Sequence, residues 1–246
     1  MAMPTPFEVG DSPVAVTSED LNGDGIPDLA AAGYSGDVSF LDNLGGGYFR
    51  ERARERAASG ARSIRAGDLD ADSDVEIVVA TENVNGISIF FNVNHGGSWT
   101  RQGLATGEAP RDALPVDIDR DGDLDLAVAN SFEGPLALFR NNGRGGFTST
   151  EGPAGGRGPS SLASGDFDGD GDLDLASSNF VSNDLSVFMN EGTGVYLPGK
   201  SLASGKGSGG IVSLDIDGDQ DLDLAATAEI SADVSIFLND GQASFA

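Results

Sequence analysis

Apolar and polar positions along the chain repeat with a period close to 49 residues. Each period contains an acidic loop followed by a nearly continuous apolar run, such as residues 126–129, which is typical of a strand covered on both faces. A polar turn then leads to an alternating run, such as residues 136–139, which predicts a strand with one buried face. Small residues before each loop predict an innermost strand, and an aromatic residue begins a fourth, outer strand.

The acidic loops occur five times with almost constant spacing. They occupy residues 20–28, 68–76, 117–125, 166–174 and 215–223. Repeats of this length that are rich in strand signals are typical of β-propellers, in which each repeat forms one four-stranded blade. We therefore expect an all-β chain whose residues 1–246 form a single domain, a five-bladed β-propeller of four-stranded antiparallel blades.

The two ends of the repeat array depart from the common pattern. The last repeat ends one residue after its aromatic residue, Phe245, so its outer strand is incomplete. We expect residues 1–9 to complete that blade, because a ring closed by the two termini leaves no open strand edge. In the first repeat the segment 50–58 is charged and rich in Ala. For this segment we expect a short helix or a frayed edge.

Carboxylates at the first, third, fifth and ninth positions of these loops indicate metal binding. They can converge only around a cation that offsets their repulsion, and a hard divalent ion with oxygen ligands does this. Glycine at the sixth position, Gly171 in the fourth loop, suits a turn with positive φ. An EF-hand shares this opening but needs a bidentate Glu at the twelfth position, where these loops carry Ala, Val or Ser.

An acidic loop between two strands, a period near 49 residues and a Phe/Gly-rich segment such as 145–147 followed by Pro159 occur together here. In these features the chain closely resembles the FG-GAP (VCBS-type) repeat family of integrin α-subunits and many secreted bacterial proteins. The resemblance covers essentially the whole chain. It implies a β-propeller with one Ca²⁺ per loop, up to five, and an extracellular or secreted location. Because rings of this family usually have seven blades, a fragment of a larger propeller is the alternative to a small closed ring.

The resemblance also implies calcium ligands at positions one, three, five and nine of each loop, together with the carbonyl of position seven. The candidate metal-binding residues are Asp20, Asn22, Asp24, Asp28, Asp68, Asp70, Asp72, Glu76, Asp117, Asp119, Asp121, Asp125, Asp166, Asp168, Asp170, Asp174, Asp215, Asp217, Asp219 and Asp223. Two loops depart from the pattern, because Ser73 and Gln220 replace the glycine at position six. This replacement costs about 1 kcal/mol if positive φ is needed.

The charge of the chain excludes several classes of partner. It carries 40 acidic and 14 basic residues, a net charge of −26, and 23 of the acidic residues lie in the five loops. Even with five bound divalent ions the protein would repel nucleic acid and anionic lipid. No apolar run of 18 residues and no signal peptide occur in the sequence, so we expect no membrane insertion. The expected closed ring predicts a compact monomer. The absence of Cys excludes disulfides and a thiolate nucleophile.

Ligand binding is expected on the face opposite the acidic loops, where the repeats differ from one another. The candidate ligand-binding residues are Tyr34, Arg62, Asn83, Arg111, Asp112, Asn130, Phe132 and Phe180, with Glu133 on the same face. Aromatic side chains among amides and acids are typical of surfaces that contact sugars or peptides. Ordinary polar turns are the alternative.

Arg62 and Arg111 hold equivalent positions in neighbouring repeats, near the mouth of the expected channel. Two guanidinium groups there would favour a carboxylate or a phosphate, whereas pairing with Asp112 and Glu108 is the alternative. The main interpretation is a calcium-stabilised binding module for a glycan or protein ligand. The alternative is a metal-dependent hydrolase that acts on esters or phosphoesters through a carboxylate-bound ion in the channel. Five similar loops favour the structural role, because a catalytic site is usually unique.

Overall fold

The structure, a computed structural model, describes residues 6–132 and 134–246 as five antiparallel sheets that follow one another along the chain. The first sheet contains β1 (Pro13–Glu19), β2 (Asp28–Gly33), β3 (Asp37–Asn43) and β4 (Phe49–Arg56); the second contains β5 (Ala61–Gly67), β6 (Glu76–Thr81), β7 (Gly86–Val93) and β8 (Ser98–Ala105). The third contains β9 (Pro110–Val116), β10 (Asp125–Asn130), β11 (Ala137–Arg140) and β12 (Thr148–Glu151); the fourth contains β13 (Pro159–Gly165), β14 (Asp174–Asn179), β15 (Asp184–Phe188) and β16 (Lys200–Ala203). The fifth contains β17 (Ser208–Leu214), β18 (Asp223–Ala228) and β19 (Asp233–Phe237).

Each sheet is a simple meander in which consecutive strands pair in chain order. The acidic loop of every repeat connects the first strand to the second. The second strands β6, β10 and β14 are buried along their whole length, as their continuous apolar sequences predict. A 3₁₀ turn, η1 (Glu82–Val84), is the one helical element in the described part of the chain. The predicted all-β fold of antiparallel sheets is confirmed.

The hydrophobic core consists of four clusters, and each cluster lies between two consecutive sheets. Between the first two sheets, Phe40 stacks on Trp99 with ring centroids 4.0 Å apart and meets Phe90 edge to face. The innermost strands also pack in order, β1 on β5, β5 on β9, β9 on β13 and β13 on β17. The sheets therefore form a propeller-like array in which each interior sheet buries both faces.

The first and last sheets each leave one apolar face without a neighbouring sheet among the described residues. Val16 in β1 is 63% exposed, whereas Ile64, its equivalent in the second repeat, is 5% exposed. Val234 in β19 is 60% exposed, whereas Leu185 in the fourth repeat is fully buried. The predicted closed ring is therefore not confirmed, and a single closed domain over residues 1–246 stays a prediction.

The described part of the N-terminal segment lies on the first sheet and not on the last. The ring of Phe7 meets Phe49 edge to face at 5.5 Å, and the N–H of Gly10 donates to Ser39 Oγ at 3.1 Å. Gly156, in the segment that leads into the fourth sheet, makes the same bond to Ser186 Oγ. The residues before β1 therefore contact the first sheet in the way that a segment between two repeats contacts the sheet that follows it. Residues 6–9 do not pair with the last sheet as predicted, and residues 1–5 lie outside the described residues.

The outer strands confirm one expectation and correct another. In the last sheet the predicted incomplete outer strand is reduced to an isolated bridge between Asn239 and Phe245. In the first repeat, segment 50–58 is no helix or frayed edge, because residues up to Arg56 form the strand β4, which pairs with β3 through one register shift beside Phe40. Ion pairs across the strands accompany this pairing, since Arg50 binds Asp42 at 2.9 Å and Arg56 binds Asp37 at 2.8 Å.

An asparagine at the end of each third strand connects neighbouring repeats. The side-chain amide of Asn141 donates to the carbonyl of Leu124 in its own loop, at 2.8 Å, and to the carbonyl of Leu69 in the preceding loop, at 2.7 Å. The same pair of bonds is made by Asn92, Asn190 and Asn239. Asn43 in the first repeat makes the bond to its own loop, to Pro27, and the structure gives it no preceding loop to bind.

Asn141→Ala should therefore destabilise the protein more than Asn43→Ala does. We expect a difference of about 0.5–1.5 kcal/mol in the free energy of unfolding, because only the first change removes a hydrogen bond to the carbonyl of a neighbouring repeat, which keeps the N–H of Gly145 as its other donor. Chemical denaturation of both variants and the parent protein checks this. Equal losses would show that the bond between repeats adds nothing to stability.

Candidate metal loops and ligand-binding face

The carboxylate at position one organises the backbone of every acidic loop. In the fourth loop Asp166 accepts the N–H of Gly169 at 2.8 Å and the N–H of Gly171 at 3.0 Å. The same two bonds, from positions four and six, occur in the loops that begin at Asp20, Asp68, Asp117 and Asp215. Each loop is therefore wound around its own first carboxylate.

The turn at position six requires positive φ in every loop, as the sequence predicts. Gly171 has a φ of 89°, and the two replacements Ser73 and Gln220 adopt 74° and 80°. Position four shows the same conformation, including the non-glycine residues Ala71 and Arg120 at 60° and 62°. The second and fifth loops thus keep the shared geometry at a cost in backbone strain.

The carboxylate at position nine is buried beneath each loop. Asp174 accepts the N–H of Phe167 at 2.9 Å and that of Asn190 at 2.8 Å. Burial nevertheless raises the pKa of Asp174 to about 6. Glu76 makes the equivalent bonds from Leu69 and Asn92, and burial raises the pKa of Glu76 to about 8. These carboxylates are held at a place where a negative charge is unfavourable without a cation.

Carboxylates at positions one, three and nine converge in four loops, with oxygen atoms within 4.8 Å of one another. The groups are Asp68, Asp70 and Glu76; Asp117, Asp119 and Asp125; Asp166, Asp168 and Asp174; and Asp215, Asp217 and Asp223. In the first loop Asn22 stands at position three, so that loop offers Asp20 and Asp28 with an amide between them.

The predicted ligands at position five do not belong to these groups. Asp170 accepts the N–H of Asp172 at 2.8 Å instead. The equivalent residues Asp24, Asp72, Asp121 and Asp219 accept the same bond from position seven. Position five therefore shapes the turn in the structure, since its carboxylate forms a local backbone bond.

The donor atoms of the loops suit a hard divalent cation such as Ca²⁺. Asp70 Oδ1 and Asp119 Oδ1, both at position three, are buried and have no hydrogen-bond partner in the described part of the chain. Burial and the charge of neighbouring Asp72 raise the pKa of Asp70. An all-oxygen set with unsatisfied carboxylate oxygens is what calcium binds. A bound ion would neutralise the converging carboxylates at positions one, three and nine.

Two arginines that the sequence analysis did not single out join the third loop to the fourth repeat. Arg120 donates to Asp172 Oδ1 at 2.6 Å. Arg140 pairs with Asp119 and also donates to the carbonyl of Thr193 at 2.7 Å. The sequence does distinguish Arg120, because the same position is Gly or Ala in the other four loops.

On the opposite face, several predicted ligand-binding residues are engaged within the protein. Arg62 forms an ion pair with Glu82 at 2.6 Å and lies 5.2 Å from the ring centre of Tyr34, whose hydroxyl also donates to Glu82. Asp112 is buried and accepts two bonds from Arg65, at 2.7 and 3.1 Å. Asp112 also binds the fourth repeat through the N–H of Leu162 and the hydroxyl of Ser161.

Two cavities contain other predicted residues of this face. The first, of about 230 Å³, is lined by Arg62, Arg111, Ser160, Ser161, Phe180, Gly209, Gly210 and Glu229. Arg111 forms no ion pair with any described residue, so the alternative of pairing with Asp112 or Glu108 does not occur. Its buried Nε has no hydrogen-bond partner among the described residues. Asn83 lies apart, against Gly60.

The second cavity, of about 320 Å³, brings Asn130 and Phe132 together. Its lining consists of Gly107, Glu108, Asn130, Phe132, Gly134, Pro135, Leu136, Ala137, Thr150 and Glu151. Glu133 lies outside the described residues. The structure thus places Arg62, Arg111 and Phe180 at one cavity and Asn130 and Phe132 at another, with Asn83 at neither.

Comparison with known proteins identifies the repeat. A family model described as FG-GAP-like repeat matches residues 20–79, 68–128, 117–177 and 166–226. The chain belongs to the FG-GAP-like repeat family. Each match runs from one acidic loop into the second strand of the next repeat, so each match includes two acidic loops. A search of curated proteins returned no match.

Solved structures resemble the fold of this FG-GAP-like repeat protein. A crystal structure of BBS1N in complex with ARL6DN, soaked with lead, matches with a TM-score of 0.63 and 16% identity over 94% of this chain and 66% of that chain. A crystal structure of the V. cholerae biofilm matrix protein Bap1 matches with a TM-score of 0.55 and 19% identity over 96% of this chain and 38% of that chain. The chain therefore spans less than two thirds of either, and the likeness concerns the fold alone. Within the described residues, no helix has the length and apolar character needed to cross a bilayer.

Proposed function

We propose that this protein is a calcium-stabilised binding module. Its acidic loops hold Ca²⁺ as structural ions, and its ligand, a glycan or a protein, binds the face opposite the loops. The proposal rests mainly on one difference between the two ends of the sheets. The loop end is alike from repeat to repeat. At the other end lie two cavities, and each is lined by a predicted ligand-binding residue with an unsatisfied polar atom, Arg111 in one and Asn130 in the other. One shared task suits repeated sites, and one asymmetric ligand needs a unique site.

The chemistry of the loops supports calcium as the ion. Three carboxylate oxygens with a backbone turn around them are hard ligands, which suit Ca²⁺ and not the softer transition metals. We also propose an extracellular location, like that of the modules whose calcium sites have Kd values of about 10⁻⁴–10⁻³ M. A monomeric state stays a prediction, since the exposed apolar faces of the first and last sheets could bind a partner. No contact among the described residues favours the hydrolase alternative.

Ligand binding should therefore depend on the opposite face and not on the loops. A ligand found on glycan and protein arrays with calcium-loaded protein should protect backbone amides near the two cavities from hydrogen exchange, and leave the loop amides unchanged. For an anionic ligand, Arg111→Ala should weaken binding by about 1–3 kcal/mol, because charge-assisted hydrogen bonds contribute about that much.

Two variants control this experiment. Arg144→Ala removes the same charge from an exposed turn next to the loops and should leave the affinity unchanged. Asp170→Ala should lower the melting temperature, and should lower binding only as a consequence. Protection from exchange confined to the loops would contradict the proposed function. So would loss of activity in a fully folded Asp170→Ala protein if Arg111→Ala had no effect on that activity.

A further inference from the structure

Asn130 and Asn179 hold the same position in neighbouring repeats, but their hydrogen bonds differ. The amide group of Asn179 donates to Asp184 Oδ1 and to Ser186 Oγ, both at 3.0 Å, and its oxygen accepts from Ser177 Oγ at 3.0 Å. Asn130 is 5% exposed, and its Oδ1 has no partner in the described part of the chain. A buried amide oxygen without a donor is unfavourable, so a ligand that donates a hydrogen bond to Asn130 Oδ1 would be stabilised at this position.

The difference arises from three substitutions between the repeats. The three partners of Asn179 correspond, 49 residues earlier, to Val128, Pro135 and Ala137. None of these side chains offers a hydrogen bond. Pro135 and Ala137 instead line the cavity of about 320 Å³ beside Asn130. The third repeat therefore lacks the polar groups that satisfy Asn179 in the fourth repeat.

A backbone donor loses its partner at the same place. In the fourth repeat the N–H of Gly156 donates to Ser186 Oγ at 2.8 Å. Gly107 is the equivalent residue in the third repeat, and it lines the cavity opposite Ala137, which has no hydroxyl. The serine bond is kept in other repeats, from Gly10 to Ser39 and from Gly205 to Ser235. The cavity thus presents Asn130 Oδ1, which has no partner in the described part of the chain, and the N–H of Gly107, which lacks the serine hydroxyl that its equivalents bind.

The rim of the cavity selects the class of ligand. Phe132 is 64% exposed beside it, and Glu108, Thr150 and Glu151 complete its polar lining. Two carboxylates accept hydrogen bonds and repel anions. An exposed aromatic ring next to acceptors suits a molecule with apolar C–H faces and several hydroxyl donors. The volume lies at the lower end of the range for small-ligand pockets, which is enough for one sugar unit.

We propose that this cavity binds an uncharged, hydroxyl-rich sugar unit. Asn130 Oδ1 accepts a sugar hydroxyl, the N–H of Gly107 donates to a sugar oxygen, and Phe132 packs on the ring. The assignment rests on the proposed function, because it names the ligand class for the face opposite the loops. Acidic sugars are disfavoured by Glu108, by Glu151 and by the net charge of the protein.

The test restores the fourth-repeat residues in the third repeat. Calcium-loaded full-length protein is screened on an array of neutral, uronate-containing and sialylated glycans, and the best neutral oligosaccharide is titrated calorimetrically. The double variant Pro135→Asp, Ala137→Ser supplies the acceptors that the amide nitrogen of Asn179 and the N–H of Gly156 bind in the fourth repeat, and its larger polar side chains narrow the cavity beside Asn130. It should keep or raise the melting temperature and weaken the sugar at least about 10-fold. Ser186→Ala, the matched change in the fourth repeat, should leave the affinity for the sugar unchanged.

An exposed position gives an independent variant if the double variant fails to fold. Phe132→Ala should weaken the same oligosaccharide at least about 10-fold, whereas Tyr48→Ala, which removes another exposed aromatic ring, should not. No binding to neutral glycans at millimolar concentration, a preference for acidic glycans, or equal affinity in all variants would overturn the sugar assignment. A protein ligand on the same face without glycan binding would overturn this assignment alone and leave the proposed function intact.

Discussion

Removal of calcium should lower the melting temperature of this protein by more than about 10 °C. An ion that binds only the folded loops adds RT ln(1 + [L]/Kd) per site, about 2.7 kcal/mol at a hundredfold excess over Kd. For a chain of this length each kcal/mol shifts the melting temperature by about 2–4 °C. Four loops bring three carboxylates together, so without the ion their repulsion and burial oppose folding.

Differential scanning calorimetry in excess calcium and in EDTA measures this effect. The same scans in excess magnesium form the control, because magnesium prefers a tighter octahedral site and should restore less stability. Coincident melting curves in calcium and in EDTA would show that the acidic loops gain nothing from the ion.

The variant Glu76→Gln should change stability in opposite directions with and without calcium. Burial raises the pKa of Glu76 from 4.5 to about 8, so the protonated form is favoured in the folded protein. Its contribution is fully present below about pH 4.5 and is lost as the pH rises towards 8. Without calcium, the uncharged Gln should therefore stabilise the protein at pH 8 by roughly 2–4 kcal/mol. With calcium, loss of the carboxylate ligand should destabilise it.

Denaturant titrations of the parent and variant at pH 4.5 and pH 8, each in EDTA and in calcium, test the sign change. Glu191→Gln, at an exposed turn, is the matched control and should be neutral in all four conditions. A variant that is less stable than the parent in EDTA at pH 8 would contradict the raised pKa. A variant that is as stable as the parent in calcium would contradict a role of Glu76 in metal binding.

The sequence predicts the loops well because their chemistry is local. Position within a nine-residue loop determines which carboxylates converge, and the constant period places every loop between two strands. The positive φ of Ser73 and Gln220 follows from the same register. Position five is the exception, because Asp170 can bind either an ion or the N–H of Asp172, and spacing alone does not decide between the two.

Contacts between repeats were harder to predict, because they depend on the angle at which sheets pack. Asp112, a predicted partner of Arg111, instead pairs with Arg65 of the preceding repeat. Phe7 follows the first sheet instead of closing a ring, since local packing on Phe49 is available to it. The unsatisfied Asn130 is visible in the sequence only when the third and fourth repeats are compared position by position.

The location of calcium in crystals of this protein tests the account most directly. An anomalous-difference map from crystals grown in calcium should show one peak in each acidic loop, and in the fourth loop the peak should lie among the carboxylates of Asp166, Asp168 and Asp174. The cavities beside Asn130 and Arg111 should show none. Loops without peaks in crystals of a folded protein at saturating calcium would contradict the structural role of the ion.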